Sequence, residues 1–307
     1  MESTDSYSLP GDHAERMARV RLALDGLSVG DAFGECFFHP ARVITLVGGT
    51  REVPAAPWRY TDDTEMALAI AEVLDAHAGI HQDELARVFA RRFRSNPNRG
   101  YGATAFEILG AIGRGENWHK ASREAFGGEG SMGNGGAMRV APVGAYFADD
   151  FSAAVDHARA SAAVTHGHAD GQAGAIAVAV AAAWAWQNHA NPQRNPQALF
   201  ETVLEHMPEG GTRRVLVHAA TVPFGIPAPQ AAAVLGSGQK VVSWDTVPFA
   251  LWCAARHLDD YAEAMWATVS GLGDRDTTCA IAGGIVALSA GHAGIPTEWL
   301  AAREALT

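Results

Sequence analysis

Two acidic stretches far apart in the chain, Thr61-Asp62-Asp63-Thr64 and Asp274-Arg275-Asp276-Thr277, constrain it most. Each stands where an apolar pattern begins. Met66, Ile70, Val73 and Leu74 follow the first, and Ile281, Ile285 and Leu288 follow the second, both at helical spacing. A helix start suits a carboxylate, which accepts backbone N–H bonds and faces the positive end of the dipole, and Asp62 with Glu65 has capping-box spacing. Two ordinary caps would explain the position of these acids but not their number. A cap needs one carboxylate; here there are four, flanked by hydroxyls, and like charges crowded into one turn repel unless a cation neutralises them. Oxygen-only donors suit Mg²⁺ or Mn²⁺ better than zinc.

The rest of the chain reads as helices. Patterns of helical period fall at about 61–78, 82–95, 101–112, 195–206, 211–221, 228–235, 248–257 and 260–272, with Asp259 and Asp260 as the start of the last. An earlier pattern through Met17, Val20, Leu24 and Leu27 ends at Gly26–Gly30, which places Asp31 at a break that is either a plain C-cap and turn or a functional loop. Residues 39–60 have no clear period and read as loop, and only Val43–Val47 hints at strand alternation. Ala173–Trp186 is almost wholly apolar but shorter than the roughly 20 residues a bilayer requires, so a buried core helix is expected. Gly236-Ser237-Gly238-Gln239 reads as a loop at the rim of a cleft.

With 48% hydrophobic residues spread through 307, one large core is expected over residues 17–307, preceded by a loose polar tail at 1–16. That tail has no apolar region of the signal-peptide kind, and Cys36, Cys253 and Cys279 show no pairing pattern, so a cytoplasmic protein without a membrane partner is expected. A net charge of −11 with only Lys120 and Lys240 as lysines makes a nucleic-acid partner unlikely.

A second chemical feature is the glycine-rich run from Phe126 through Ser131, Met132, Gly133, Asn134, Gly135 and Gly136 into a helical pattern with Met138. Glycine lets backbone N–H groups approach a phosphate, whereas neither the dinucleotide-binding nor the P-loop spacing is present. The run is a diphosphate cradle or a flexible connection. Arg99-Gly100-Tyr101-Gly102 joins turn formers to an arginine and an amphipathic ring, and Thr165-His166-Gly167-His168 lacks the partners a zinc site needs.

In order and spacing these stretches, with Gly30-Asp31-Ala32-Phe33-Gly34, resemble the ADP-ribosylglycohydrolase family over about Arg21–Gly291. The resemblance implies a compact single-domain, all-α orthogonal helix bundle with a binuclear metal cleft. It implies two Mg²⁺ or Mn²⁺ ions held by Thr61, Asp62, Asp63, Asp274, Asp276 and Thr277. It also implies hydrolysis of the bond between ADP-ribose and an acceptor, a protein side chain such as arginine or serine or a small molecule, with ADP-ribose as product. Carried over by motif, Phe126 stacks on adenine, Met132 stands where a second aromatic is frequent, and His166 contacts the nucleotide. Asp31 and the turns Arg99–Gly102 and Ser131–Met138 line the ligand, and His168 caps a helix or faces solvent.

Two positions depart from the family pattern. Arg275 replaces a frequent threonine between the later aspartates, and Phe38 stands about where a glutamate is frequent, leaving Glu35 as the nearest acid. Asp62 or Glu35 is the candidate acid for the glycosidic step, beside Asp63. An outward Arg275 would offer its fork to a phosphate or acidic group of the substrate, and an inward one would repel the metals. Two rival readings remain at this stage: a two-metal phosphohydrolase cutting the diphosphate, and a non-catalytic ADP-ribose-binding or immunity module.

Overall fold

The computed structural model describes residues 9–307, and among them it contains 17 α-helices, three short 3-10 turns and two isolated bridges, Trp58 with Arg303 and Gly133 with Val242. The first nine helices are α1 (His13–Glu35), α2 (Pro40–Val47), α3 (Asp62–His77), α4 (Gln82–Ser95), α5 (Ala103–Gly113), α6 (Trp118–Glu124), α7 (Gly135–Met138), α8 (Ala141–Tyr146) and α9 (Phe151–Ala163). The others are α10 (Ala169–Gln187), α11 (Pro196–His206), α12 (Gly211–Ala219), α13 (Ala228–Leu235), α14 (Ser243–Arg256), α15 (Tyr261–Val269), α16 (Arg275–Ala290) and α17 (Thr297–Ala302). This is the expected all-α architecture. Many starts carry their own acceptors: Asn117, Asp150, His168, Asn195 and Asp260 each take a backbone N–H of the first turn. His168 is thus a cap, and Asp260 starts α15 as expected.

The break expected at Gly26–Gly30 does not occur. Helix α1 runs through it to Glu35, with Asp31 enclosed in its interior. The glycines serve close packing. Gly26, Gly30 and Gly34 recur every fourth residue on the face that meets α16, and a Cβ on Gly30 would lie 2.2 Å from the Cys279 carbonyl oxygen. At Gly34 the obstacle would be the Arg275 carbonyl oxygen at 2.2 Å, and at Gly26 that of Gly283 at 2.4 Å. Glycine inside a helix costs about 1 kcal/mol relative to alanine; here it lets two backbones run in contact, and the acid-bearing segments of both helices come together. An aromatic brace fixes the same end of α1. The Phe33 ring stacks on Trp299 at 4.7 Å and meets Trp266 edge-on at 5.0 Å, with Phe37 and Trp58 against it.

Three other expectations need correction. Helix α1 starts at His13, before the expected boundary at 17, because Arg16 pairs with Asp12 at 2.8 Å and His13 bonds the Tyr146 hydroxyl; residues 1–8 of the expected tail lie outside the described residues. Residues 40–47 form α2, not loop or strand, opened by Pro40 at its first position and leaving Ile44 and Val47 exposed. Helix α14 begins at Ser243 and carries Pro248 inside it, early enough that only the Trp244 carbonyl loses its helical donor. Helix α10 is the buried alanine-rich helix expected, and no described helix is long and apolar enough to cross a membrane.

Candidate active site

The close run of α1 along α16, with α3 across them, gathers Asp31, Asp62, Asp63, Asp274 and Asp276 into one acidic cluster. Asp31 is the pivot. Fully buried, it accepts the backbone N–H of Thr61 (2.9 Å) and of Thr64 (3.1 Å), and both hydroxyls donate to it as well. Both of its oxygens are therefore engaged by the turn that opens α3. Asp31 thereby positions that turn. The Thr61 hydroxyl also lies 3.1 Å from Asp63 Oδ2, and the Asp62 N–H donates to the Arg99 carbonyl at 2.7 Å. Asp274 precedes α16, anchored by its N–H to the Ser237 carbonyl (2.9 Å) and by Asn134 Nδ2 to its Oδ2 (2.6 Å).

Electrostatics across the cluster are unfavourable without a cation. Burial, then the charge of Asp31, pushes Asp62 up to about 8. Burial and the charge of Asp276 raise Asp63 well above the carboxylate range, and burial with Asp274 does the same to Asp276. Asp63 Oδ1 and Asp276 Oδ1 are buried without any hydrogen-bond partner. Among the described residues no three His, Cys, Asp or Glu side chains close into a ready-made cage. Unpartnered carboxylate oxygens in mutual repulsion, with the Thr61 and buried Thr277 side chains beside them, nonetheless fit a hard, oxygen-seeking cation.

The glycine-rich turn is stitched to the first turn of α14. Asn134 Nδ2 also reaches Thr246 Oγ1 (3.1 Å), Ser243 Oγ donates to the Gly133 carbonyl (3.0 Å), and Ser131 Oγ accepts from Gly133 N–H (3.1 Å). Ser243 and Thr246 carried no sequence signal, since their partners lie over a hundred residues away. Beneath the turn sits His166, buried, its Nδ1 bonded to Thr165 Oγ1 at 2.8 Å. A Cβ on Gly135 would come within 3.1 Å of its ring. Burial, reinforced by Arg139, lowers His166 to about 3, so the ring is neutral. Arg139, the last residue of the glycine-rich motif, lies behind the turn. It is fully buried, lies 4.5 Å over Phe89, donates to Thr165 and the Ser161 carbonyl, and forms no salt bridge among the described residues.

The remaining expected residues divide. Gly100, at a φ of +90°, passes its backbone against Asp62, where a Cβ would lie 3.5 Å from Oδ1. Gly102 precedes α5, and Tyr101 packs edge-on against Phe93 at 5.0 Å. Arg99 is not free to hold a ligand. Its guanidinium pairs with Glu304, donates to the Tyr60 carbonyl (3.0 Å), lies 3.6 Å from Glu65 and stacks on Tyr60. Met138 and Gly136 are buried, while Met132 is half-buried. Phe126 is 60% exposed in a left-handed backbone conformation. Glu35 ends α1 at the mouth of the cluster, raised by partial desolvation and then by Asp31 and Asp274.

An all-helical domain whose two central helices deliver acidic turns to one site, beside a glycine-rich turn, defines a class of glycoside-cleaving proteins. The ADP-ribosylglycohydrolase family profile matches residues 12–306, and the chain belongs to that family. It is 27% identical to the ADP-ribosylhydrolase ARH3 of Mus musculus over 93% of this chain and 87% of that protein. It is also 27% identical to the ADP-ribosylarginine hydrolase Tri1 of Pseudomonas putida (strain GB-1), over 93% and 74%. A solved structure titled ADP-ribosylglycohydrolase-related protein complex shares the fold with a TM-score of 0.64, at 24% identity over 95% of this chain and 94% of that one.

Proposed function

We propose that the protein hydrolyses the glycosidic bond between ADP-ribose and an acceptor, reversing ADP-ribosylation in the cytoplasm. The buried acidic cluster with its unpartnered Asp63 and Asp276 oxygens is the observation that carries this reading within the family. Thr61, Asp62, Asp63, Asp274, Asp276 and Thr277 would hold two divalent cations, Mg²⁺ or Mn²⁺. Bound there, the cations neutralise the clustered carboxylates and supply Lewis acidity toward ribose hydroxyls and water. The protein's own groups do the rest. The backbone N–H groups of Gly135 and Gly136 and the Ser131 hydroxyl would meet the diphosphate, the neutral His166 supports that turn, and the exposed Phe126 ring offers a stacking surface to the adenine. Water adds to the anomeric carbon as the bond to the acceptor nitrogen or oxygen breaks. Asp62 takes the water's proton, and Glu35, at the mouth, gives one to the departing acceptor.

Mass spectrometry of ADP-ribosyl-arginine and ADP-ribosyl-serine peptides after incubation tests this reading. Intact ADP-ribose is expected, lost with EDTA and restored by Mg²⁺ or Mn²⁺; AMP with ribose phosphate would indicate a phosphohydrolase instead. Retention of all six cation donors argues against a non-catalytic reader, which has no need of them. Gly135→Val, crowding His166, is expected to weaken ADP-ribose binding in calorimetry before it unfolds the chain.

A further inference from the structure

The two positions at which the chain departs from the family pattern touch each other. The Arg275 guanidinium carbon lies 4.6 Å over the centre of the Phe38 ring. Phe38 ends the 3-10 turn that follows α1, with 44% of its surface exposed. The ring therefore holds the guanidinium at the rim, away from the carboxylates on either side of it in sequence. The charges of Asp276 and Asp274 act on it through space. Its Nε is buried without a partner, and the guanidinium forms no hydrogen bond or ion pair among the described residues.

Its side of the site is also defined. The glycine-rich turn reaches Asp274 through Asn134, and the loop before α14 reaches it through Gly238, where a Cβ would lie 2.4 Å from the Asp274 Cβ. Arg275 instead abuts α1, with its carbonyl against Gly34 and its side chain on Phe38. Asp274 thus meets the glycine-rich turn and Arg275 meets the end of α1, so with the diphosphate on that turn, as proposed above, Arg275 is left to the acceptor side.

We propose, building on the glycohydrolase reading, that Arg275 held on Phe38 selects the acceptor: it favours ADP-ribose carried beside a carboxylate and disfavours a cationic acceptor such as arginine. A guanidinium offers a planar fork that matches a carboxylate with two parallel bonds. A second guanidinium, on an arginine acceptor, meets like charge at the same place.

The test compares two fluorescent ADP-ribosyl-serine peptides that differ only in glutamates or glutamines flanking the serine. Release of ADP-ribose by the Mg²⁺-loaded protein should show kcat/KM about tenfold higher for the glutamate peptide, the yield of one charge-assisted contact. That preference should shrink as salt rises from about 50 to 500 mM. Arg275→Thr should level the two peptides, Arg275→Glu should reverse their order, Arg275→Lys should keep part of the preference, and Phe38→Ala should reduce it. Equal kcat/KM for both peptides in the unaltered protein overturns the proposal, as does a preference that survives Arg275→Thr. Should neither peptide release ADP-ribose, the glycohydrolase reading has failed, and anisotropy titration of the uncleaved peptides decides the role of Arg275. Tighter binding of the glutamate peptide, lost in Arg275→Thr, upholds it; equal or undetectable binding overturns it.

Discussion

Asp31 and Phe38 are near neighbours in sequence, yet Asp31 is wholly enclosed and bonded by two threonines, while Phe38 is exposed with one cation over its ring. The same contrast divides the whole site. Its floor, from Asp31 through Thr61, Asp63 and Thr277, is buried and locked by backbone contacts between α1 and α16. Its rim, with Glu35, Phe38, Phe126 and Arg275, is partly or fully open to solvent and has few internal partners. A floor of this kind has one geometry, since any change there must move backbone. A rim of this kind is free to vary with the acceptor.

The largest expected effect falls on the floor's support. Gly30→Val places a branched side chain on the Cys279 carbonyl and should cost at least ~3 kcal/mol in urea unfolding, because the obstacle is backbone and cannot rotate away. Unchanged stability would mean that α1 and α16 are not held in contact. Next comes Asp276→Asn, which should lower turnover on the order of a thousandfold by removing a cation donor. In metal-free protein the same change should leave the melting temperature equal or higher, since it relieves repulsion with Asp63 and Asp274; a marked fall would show that the cluster is stabilising without metal.

A smaller, graded effect concerns pH. Unfolded, these carboxyls ionise near 3.8, whereas folded Asp31 holds its proton to about 6 and Asp62 to about 8. The folded metal-free chain binds more protons across that window, so its stability should fall as pH rises from about 4 to about 8. Thermal melts in EDTA should show this decline and melts with Mg²⁺ should flatten it; a metal-free curve that rises through the window would contradict the crowding of the floor. The smallest effect belongs to the rim. Phe126→Ala should weaken ADP-ribose binding about tenfold in calorimetry, the worth of one stacked base, with no change in melting temperature.

Most helices were legible because their faces repeat at helical period, and at α15 the cap, Asp260, was legible as well. The acidic floor was legible too, because four carboxylates at two helix starts exceed what capping needs. Gly26, Gly30 and Gly34 misled, since glycine reads locally as a break, and only the partner helix shows that it is there for contact. Helix α2 was hidden for the opposite reason: its exposed Ile44 and Val47 pack on nothing that would impose a pattern. Arg99 looked like a phosphate ligand until Glu304, from the far end of the chain, came to occupy it. Ser243 and Thr246 left no local trace, because burial and long-range bonding define them.

The glycine contacts between α1 and α16 also bear on how the site comes apart. The backbone amides around Gly30 and Cys279 lie in the seam between two helices that run through the centre of the core, so no partial opening of a loop exposes them. Their hydrogens should exchange with deuterium at the rate of global unfolding, while those of residues 36–50 and 126–130 exchange through small local fluctuations. A protease that trims the rim would then leave the acidic floor standing, and the proposed choice of acceptor would be lost long before the floor came apart.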